Sequence, residues 1–359
     1  MHDQIFSEFL QKVGGRIVQK NNPARIFLDK NEQPDDFEDD IKLEILDELY
    51  KAKWNRYPNA DNSEMEKLIA TYSGLNSDNI AVAPGSATLI VTLLNYFAIN
   101  QKHIVIAQPS YTLFDYHCKT HGINYEPWYL NSSLEFDLER MPNLSANSIL
   151  ILASPNNPVG NTISVKDLEG ILKSYSNSLI IVDGVYLEFD NVNLNPLILK
   201  YNNLIVLRSF SKAFPAAGIR LGYLCANSVL VSIVKKLILM FSVNQFSQIF
   251  AKVILSNPTH ILNIKNRILK ITTERDYLFF RLLEMEKEGN IIIKKPEGNF
   301  ILIKIPDTDK FNRVLNQLTA NGIQILNTSN LNMLENSLRV SVGLPSENNA
   351  FIDCIKCNL

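Results

Sequence analysis

The chain has 359 residues, 46% of them hydrophobic and 20% charged, a composition that gives a folded globular protein with a sizeable core and excludes disordered, collagen-like and membrane-embedded classes. Its 35 basic and 37 acidic residues leave a formal charge of −2, without the cationic excess that binds phosphate backbones or anionic lipid, so neither nucleic acid nor membrane is an expected partner. Cys118, Cys225, Cys354 and Cys357 are too scattered to staple so long a chain, and Met1-His2-Asp3-Gln4 opens without a secretory pattern; both fit the reducing cytoplasm.

The first forty or so residues carry no strand run strong enough to join a main sheet and are expected to pack against it. Between about residues 79 and 226, short apolar runs alternate with segments of helical period: Ile80–Ala83, His103–Ala107, Ser148–Leu152, Leu179–Val182, Leu204–Leu207 and Gly222–Cys225. Runs without polar alternation fit strands buried on both faces, and helical connections between them imply a mainly parallel sheet, hence an α/β core. Val229–Phe241, which holds Lys235 and Lys236, is too short to cross a bilayer and reads as a buried helix. From Asn257-Pro258 the pattern becomes a long helix, roughly His260–Lys287, then Ile291–Ile293, Phe300–Ile303, a helix near Lys310–Asn321 and Ser337–Ser341, the sequence of a separate α+β unit. The expected division is a large domain over 41–256 and a small domain formed by 1–40 and 257–359.

In open α/β sheets ligands bind outside the carboxyl ends of the strands, so the residues that close each run come first. Pro84-Gly85-Ser86-Ala87-Thr88 opens an apolar helix, and its N–H groups suit a phosphate or are capped by Ser86. Ser154-Pro155-Asn156-Asn157-Pro158-Val159-Gly160 is a proline-flanked turn holding two amides. Leu179–Val182 delivers Asp183 at its end and Tyr186 three residues later; such a carboxylate caps a helix or partners a cationic ring. Arg208-Ser209-Phe210-Ser211-Lys212-Ala213-Phe214 then presents a lysine, followed by Gly218-Ile219-Arg220. An amine, an acid, a phosphate-type turn and an arginine on neighbouring strand ends are what pyridoxal phosphate requires.

These motifs, with Leu28-Asp29-Lys30-Asn31-Glu32, Arg56-Tyr57-Pro58 and Leu338-Arg339-Val340-Ser341-Val342-Gly343, resemble the fold type I pyridoxal-phosphate aminotransferases, most closely the histidinol-phosphate aminotransferase branch. The resemblance implies a large domain with a mainly parallel seven-stranded sheet flanked by helices, and a smaller α+β domain. It makes Lys212 the residue joined to pyridoxal 5'-phosphate and the one that moves the substrate Cα proton, with Asp183 on the ring nitrogen. Asn157 and Tyr186 would bond the ring hydroxyl, and Tyr111 would stack on the ring. Ser86, Ala87, Ser209, Ser211 and Arg220 would surround the phosphate, with Tyr57 reaching it from a second subunit of a homodimer. Arg339 would grip the anionic end of the substrate, with Asn31 as a further substrate contact. The implied reaction moves an amino group between an amino acid or amino-alcohol phosphate and a 2-oxo acid such as 2-oxoglutarate. A decarboxylase or a tailoring enzyme that deaminates or cyclises amino acids on the same fold is the alternative.

The chain departs from that pattern in four places. Asp183-Gly184-Val185-Tyr186 replaces Asp-Glu-Ala-Tyr, and Ala87-Thr88 stands where an acidic pair is usual. No tyrosine precedes Tyr50, and Gln324-Ile325-Leu326-Asn327 lacks the arginine that the branch tends to place after the strand beginning Gly322-Ile323. The first two changes spare every cofactor contact, whereas the last two fall on the substrate side. Cys354-Ile355-Lys356-Cys357 is half a zinc motif with no second pair, and His117, Cys118 and His121 read as packing, so no metal is expected. No G-x-G-x-x-G opens a helix after the early strands, against a nucleotide-binding dehydrogenase. A regulator that kept the fold and lost the chemistry has no reason to keep Lys212, Asp183, Asn157, Tyr186 and Arg220 together.

Overall fold

A computed structural model describes residues 8–14 and 24–359; Met1–Gln4 lie outside the described residues. The chain lays down β1 (Ile26–Leu28), then β2 (Ile80–Ala83), β3 (Ile104–Gln108), β4 (Glu126–Tyr129), β5 (Ile149–Ala153), β6 (Leu179–Asp183), β7 (Leu204–Ser209) and β8 (Gly222–Ala226). Strands β2 to β8 form a seven-stranded sheet in the order β2-β8-β7-β6-β5-β3-β4. All neighbours from β7 to β4 run parallel, and β8 runs antiparallel to both β7 and β2.

Apolar side chains alternate between two cores, which is why the strands show no polar period. Ile180, Val182, Leu204 and Val206 face one core, whereas Ile181, Ile205 and Leu207 face the other. The edge strand β4 escaped the sequence reading because Glu126 and Pro127 break an apolar run, as edge positions allow.

Among the described residues the N-terminal region gives no strand to the large sheet, and its strand β1 pairs in parallel with β11 (Ile323–Asn327) of the smaller one. That sheet has the order β1-β11-β12-β10-β9, with β9 Ile292–Ile293, β10 Phe300–Lys304 and β12 Ser337–Ser341. The stretch Val229–Phe241 is not one buried helix. A helix covers Ser228–Lys235 with Val231 and Val234 inside, while Leu239, Met240 and Phe241 are exposed.

The long helix Pro258–Lys287 joins the layers. Ile264 and Ile271 belong to the larger core, whereas Leu278, Leu282 and Met285 belong to the core beneath the smaller sheet. The expected boundary at residue 257 therefore precedes a helix whose first half packs on the larger unit. The described residues contain no helix long and apolar enough to cross a membrane.

Candidate active site

A cavity of about 330 Å³ opens at the carboxyl ends of β5, β6 and β7, beside β11 and β12 of the smaller sheet. Its walls include Ser86, Ala87, Tyr111, Asn157, Asp183, Tyr186, and also Ser209, Ser211, Lys212, Arg220 and Arg339.

At the inner end, the helix Ser86–Ile99 begins directly after the β2 turn. Its N-cap is Gly85 at φ +87°, and no side chain caps it, so the Ser86 capping alternative does not hold. The first-turn N–H groups of a helix have no intrahelical partner and carry the positive end of its dipole. Gly222 of β8 presses on this turn so closely that a Cβ there would lie 2.3 Å from the Ser86 nitrogen. Arg220 adopts a left-handed conformation at φ +58° and donates from Nη1 to Ser211 Oγ at 3.4 Å and to the Ala217 carbonyl at 3.0 Å. Ser209 caps the one-turn helix Phe210–Ala213 that carries Lys212, its Oγ accepting from the Ser211 N–H at 3.1 Å.

Asp183 ends β6 with 3% of its surface exposed, and its carboxylate accepts one long bond, 3.4 Å from the Val185 N–H. Burial pushes its pKa up to about 7, against the pull of the Lys212 charge. Across the cavity, Lys212 donates from Nζ to the Lys30 carbonyl at 2.7 Å. Burial and the nearby Arg339 lower its pKa to about 8. The Lys212 amine lies 6.0 Å from the centre of the Tyr186 ring.

Toward the outer end, the polar groups are tied to one another. Arg339 of β12 is 3% exposed, donates from Nη1 to Asn157 Oδ1 at 2.5 Å and from Nη2 to the Asp29 carbonyl, and keeps a buried Nε without a protein partner. The bond from Arg339 fixes which end of the Asn157 amide faces it, leaving the NH₂ to donate elsewhere. Asn31 is fully buried and does not line the cavity. Its Nδ2 donates to the Tyr186 phenol oxygen at 2.9 Å, and its Oδ1 accepts from the Ser341 hydroxyl at 2.9 Å. Burial pushes the Tyr186 phenol up to about 12.

Tyr111 lines the cavity and meets Phe114 edge to face at 5.9 Å. Tyr57 lies apart from this cavity, 81% exposed and stacked on Phe241 at 4.9 Å. Ser110 and Leu331 enter from loops without a signal of their own, whereas Leu326 falls in the Gln324–Asn327 stretch and Asp29 and Lys30 in the Asp29–Glu32 motif. His117 is buried and bonded to Asn95, all four cysteines are unpaired, and no metal-type cluster occurs among the described residues.

The donor set fits pyridoxal 5'-phosphate. N–H groups and a guanidinium stand at one end, a buried acid with spare acceptor capacity at the floor, and an amine between them, in a cavity of the right order of size. A family model described as "Aminotransferase class I and II" matches residues 25–353. A histidinol-phosphate aminotransferase of Pyrococcus furiosus is 33% identical, covering 98% of this chain and 97% of its own. Two solved structures share the fold. A histidinol-phosphate aminotransferase from Sinorhizobium meliloti in complex with pyridoxal-5'-phosphate is 19% identical over 98% of both chains, with a TM-score of 0.79. An L-threonine-O-3-phosphate decarboxylase from Porphyromonas gingivalis is also 19% identical, over 92% of this chain and 98% of its own, at 0.77.

Proposed function

This chain belongs to the class I and II aminotransferase family, and from that premise we propose how its own residues run a pyridoxal-phosphate-dependent amino transfer. The donor is an amino acid or an amino-alcohol phosphate of the histidinol-phosphate kind, as the name of the Pyrococcus furiosus relative supports, and the acceptor is a 2-oxo acid. Pyridoxal 5'-phosphate, when bound, supplies an aldehyde that takes up the amino group and a ring that draws electrons from the neighbouring carbon.

The observation that carries the reading is a fully buried Asp183 carboxyl with one weak donor, facing the same cavity as the Lys212 amine. Asp183 keeps a positive charge on the ring nitrogen, a role its burial strengthens because a lone carboxylate there lacks solvation. Lys212, with its pKa near 8, is partly neutral around neutral pH and moves the proton at the substrate Cα. Tyr186 and the Asn157 amide donate to the ring hydroxyl, and Tyr111 covers a ring face. Ser86 and Ala87, together with Ser209, Ser211 and Arg220, hold the phosphate through first-turn N–H groups, hydroxyls and a guanidinium. Arg339 grips the anionic end of the donor with the N–H groups it has left.

A homodimer completes the site in this reading. Tyr57, 81% exposed and stacked on Phe241 beside the exposed Leu239 and Met240, reaches the phosphate of the partner subunit. The reducing cytoplasm fits four unpaired cysteines, three of them buried.

The test is to incubate the loaded enzyme with carboxyl-labelled amino acids, or with histidinol phosphate, plus a 2-oxo acid. Amino transfer with the label retained is expected. Release of labelled carbon dioxide would assign the decarboxylase chemistry instead.

A further inference from the structure

The outer wall of the cavity carries information that its inner end does not. In the antiparallel pair of β11 and β12, Leu326 stands directly opposite Arg339. Opposed residues of such a pair project to the same face with neighbouring Cβ atoms, and both line the cavity. Leu331, from the turn that joins these strands, continues the wall onto an apolar cluster of Leu130, Val159, Leu302 and Leu334. Among the described residues, the cations lining the cavity are Lys30, Lys212, Arg220 and Arg339. Arg220 lies with Ser211 at the phosphate end, Lys212 is taken by the cofactor, and Lys30 is exposed to solvent, where a single charge pair contributes little. One buried guanidinium therefore remains for the substrate, and its cross-strand neighbour is a leucine.

We propose that Leu326 determines specificity, so that the site takes donors and acceptors with one anionic end, held by Arg339, and an apolar or flat-ring body laid against Leu326 and Leu331. This rests on the aminotransferase reading and sharpens it: a second anion, as on glutamate or 2-oxoglutarate, meets Leu326, itself 36% exposed, and half-buried Leu331, with no further buried cation among the described lining residues. A carboxylate brought against leucines without a cationic partner gives up hydration and gains no ion pair, so discrimination against the second anion is the larger effect.

The experiment uses the holoenzyme in two assays. First, kcat/KM is measured for phenylalanine, histidinol phosphate and glutamate with pyruvate as acceptor. Second, calorimetry gives the Kd of 3-phenylpropionate and of glutarate, which report the wall without turnover. Phenylalanine and histidinol phosphate are expected to exceed glutamate by about tenfold or more, with 3-phenylpropionate binding more tightly than glutarate in the same proportion. Leu326→Arg should invert both orders, and Leu326→Met should preserve them. Glutamate and glutarate preferred by the unaltered enzyme, or ratios unmoved by Leu326→Arg, would overturn the proposal. So would a glutamate activity that disappears in Lys30→Ala, because the exposed lysine would then be the second anchor. If no donor reacts at all, the amino-transfer reading fails, while the calorimetric ratio still decides the role of Leu326.

Discussion

The two ends of the cavity hold their polar groups in opposite ways. At the inner end, built from strand termini of the seven-stranded sheet, they are left short of partners: Asp183 accepts one 3.4 Å bond, and the helix at Ser86 has no side-chain cap. At the outer end, built from β12 and the segment after β1, they are bonded to one another, with Arg339 on Asn157 and Asn31 between Tyr186 and Ser341, and the Arg339 Nε is left over. The buried Asp183 carboxyl, with its one long bond, is the inner group most costly to leave charged without a partner. The outer end is already set before any ligand arrives, which lowers the cost of orienting one.

The largest effect is expected at the inner amine. In the proposed reading Lys212→Ala removes the amine that joins the aldehyde and moves the Cα proton, so turnover should fall to the background of the assay. The visible absorption of the loaded enzyme should disappear as well. Persistent colour on the protein after dialysis would assign the covalent role to another lysine.

Asp183→Asn comes next and moves function and stability in opposite directions. Turnover should fall by about 10²–10⁴-fold, the usual worth of a positioned acid or base. In the cofactor-free protein, a carboxyl with a folded pKa of about 7 against 3.8 stabilises fully only below the lower value. That contribution is lost as pH rises through 7, so asparagine, which has no charge to bury, should raise the melting temperature at pH 8.5 relative to the parent. The gain there should reach up to about 4 kcal/mol, and it should vanish near pH 3.8. Equal shifts at both pH values would show that the carboxyl is not desolvated.

A backbone contact sets the third effect. Gly222→Ala would drive a methyl into the Ser86 nitrogen, so the turn must shift, costing about 1–3 kcal/mol of stability. It should also weaken cofactor affinity, measured by titrating the cofactor-free protein with pyridoxal 5'-phosphate. Unchanged affinity would mean that the helix N-terminus is not part of the phosphate site.

The same contrast explains what the sequence made legible. Asp183, Ser209 and Lys212 close apolar runs that are buried on both faces, and a parallel sheet places such residues at one edge wherever the helices lie. Leu326 and Arg339 meet because β11 pairs with β12, and the segment holding Asp29 and Asn31 follows a three-residue strand, β1, that pairs with β11. Phe27 in β1 is 55% exposed, so neither burial nor period marks it as a strand. The resemblance supplied Arg339 and Asn31 as substrate contacts but not the arrangement that sets Asn31 behind Tyr186. The exposed turn after Lys235 was misread for a related reason: apolar composition marks a surface that needs covering and does not say whether the same chain covers it.

Asn31 gives the smallest and most discriminating test of the preset outer end. Because the Ser341 hydroxyl donates to its Oδ1, its amide must turn Nδ2 toward Tyr186, and the phenol oxygen is an acceptor there. The phenol proton, kept in place by a pKa near 12, is then free to point into the cavity. Asn31→Asp would offer the phenol an acceptor in place of a donor and turn that proton away. A loss of about tenfold in kcat is expected, in keeping with one redirected hydrogen bond of about 1.4 kcal/mol. The absorption maximum of the bound cofactor should shift as well, since in the proposed reading the ring hydroxyl loses one of its two donors. Ser341→Ala leaves the amide free to choose its orientation and should show a weaker version of both changes. An Asn31→Asp enzyme with normal colour and an altered KM alone would instead return Asn31 to direct contact with the substrate.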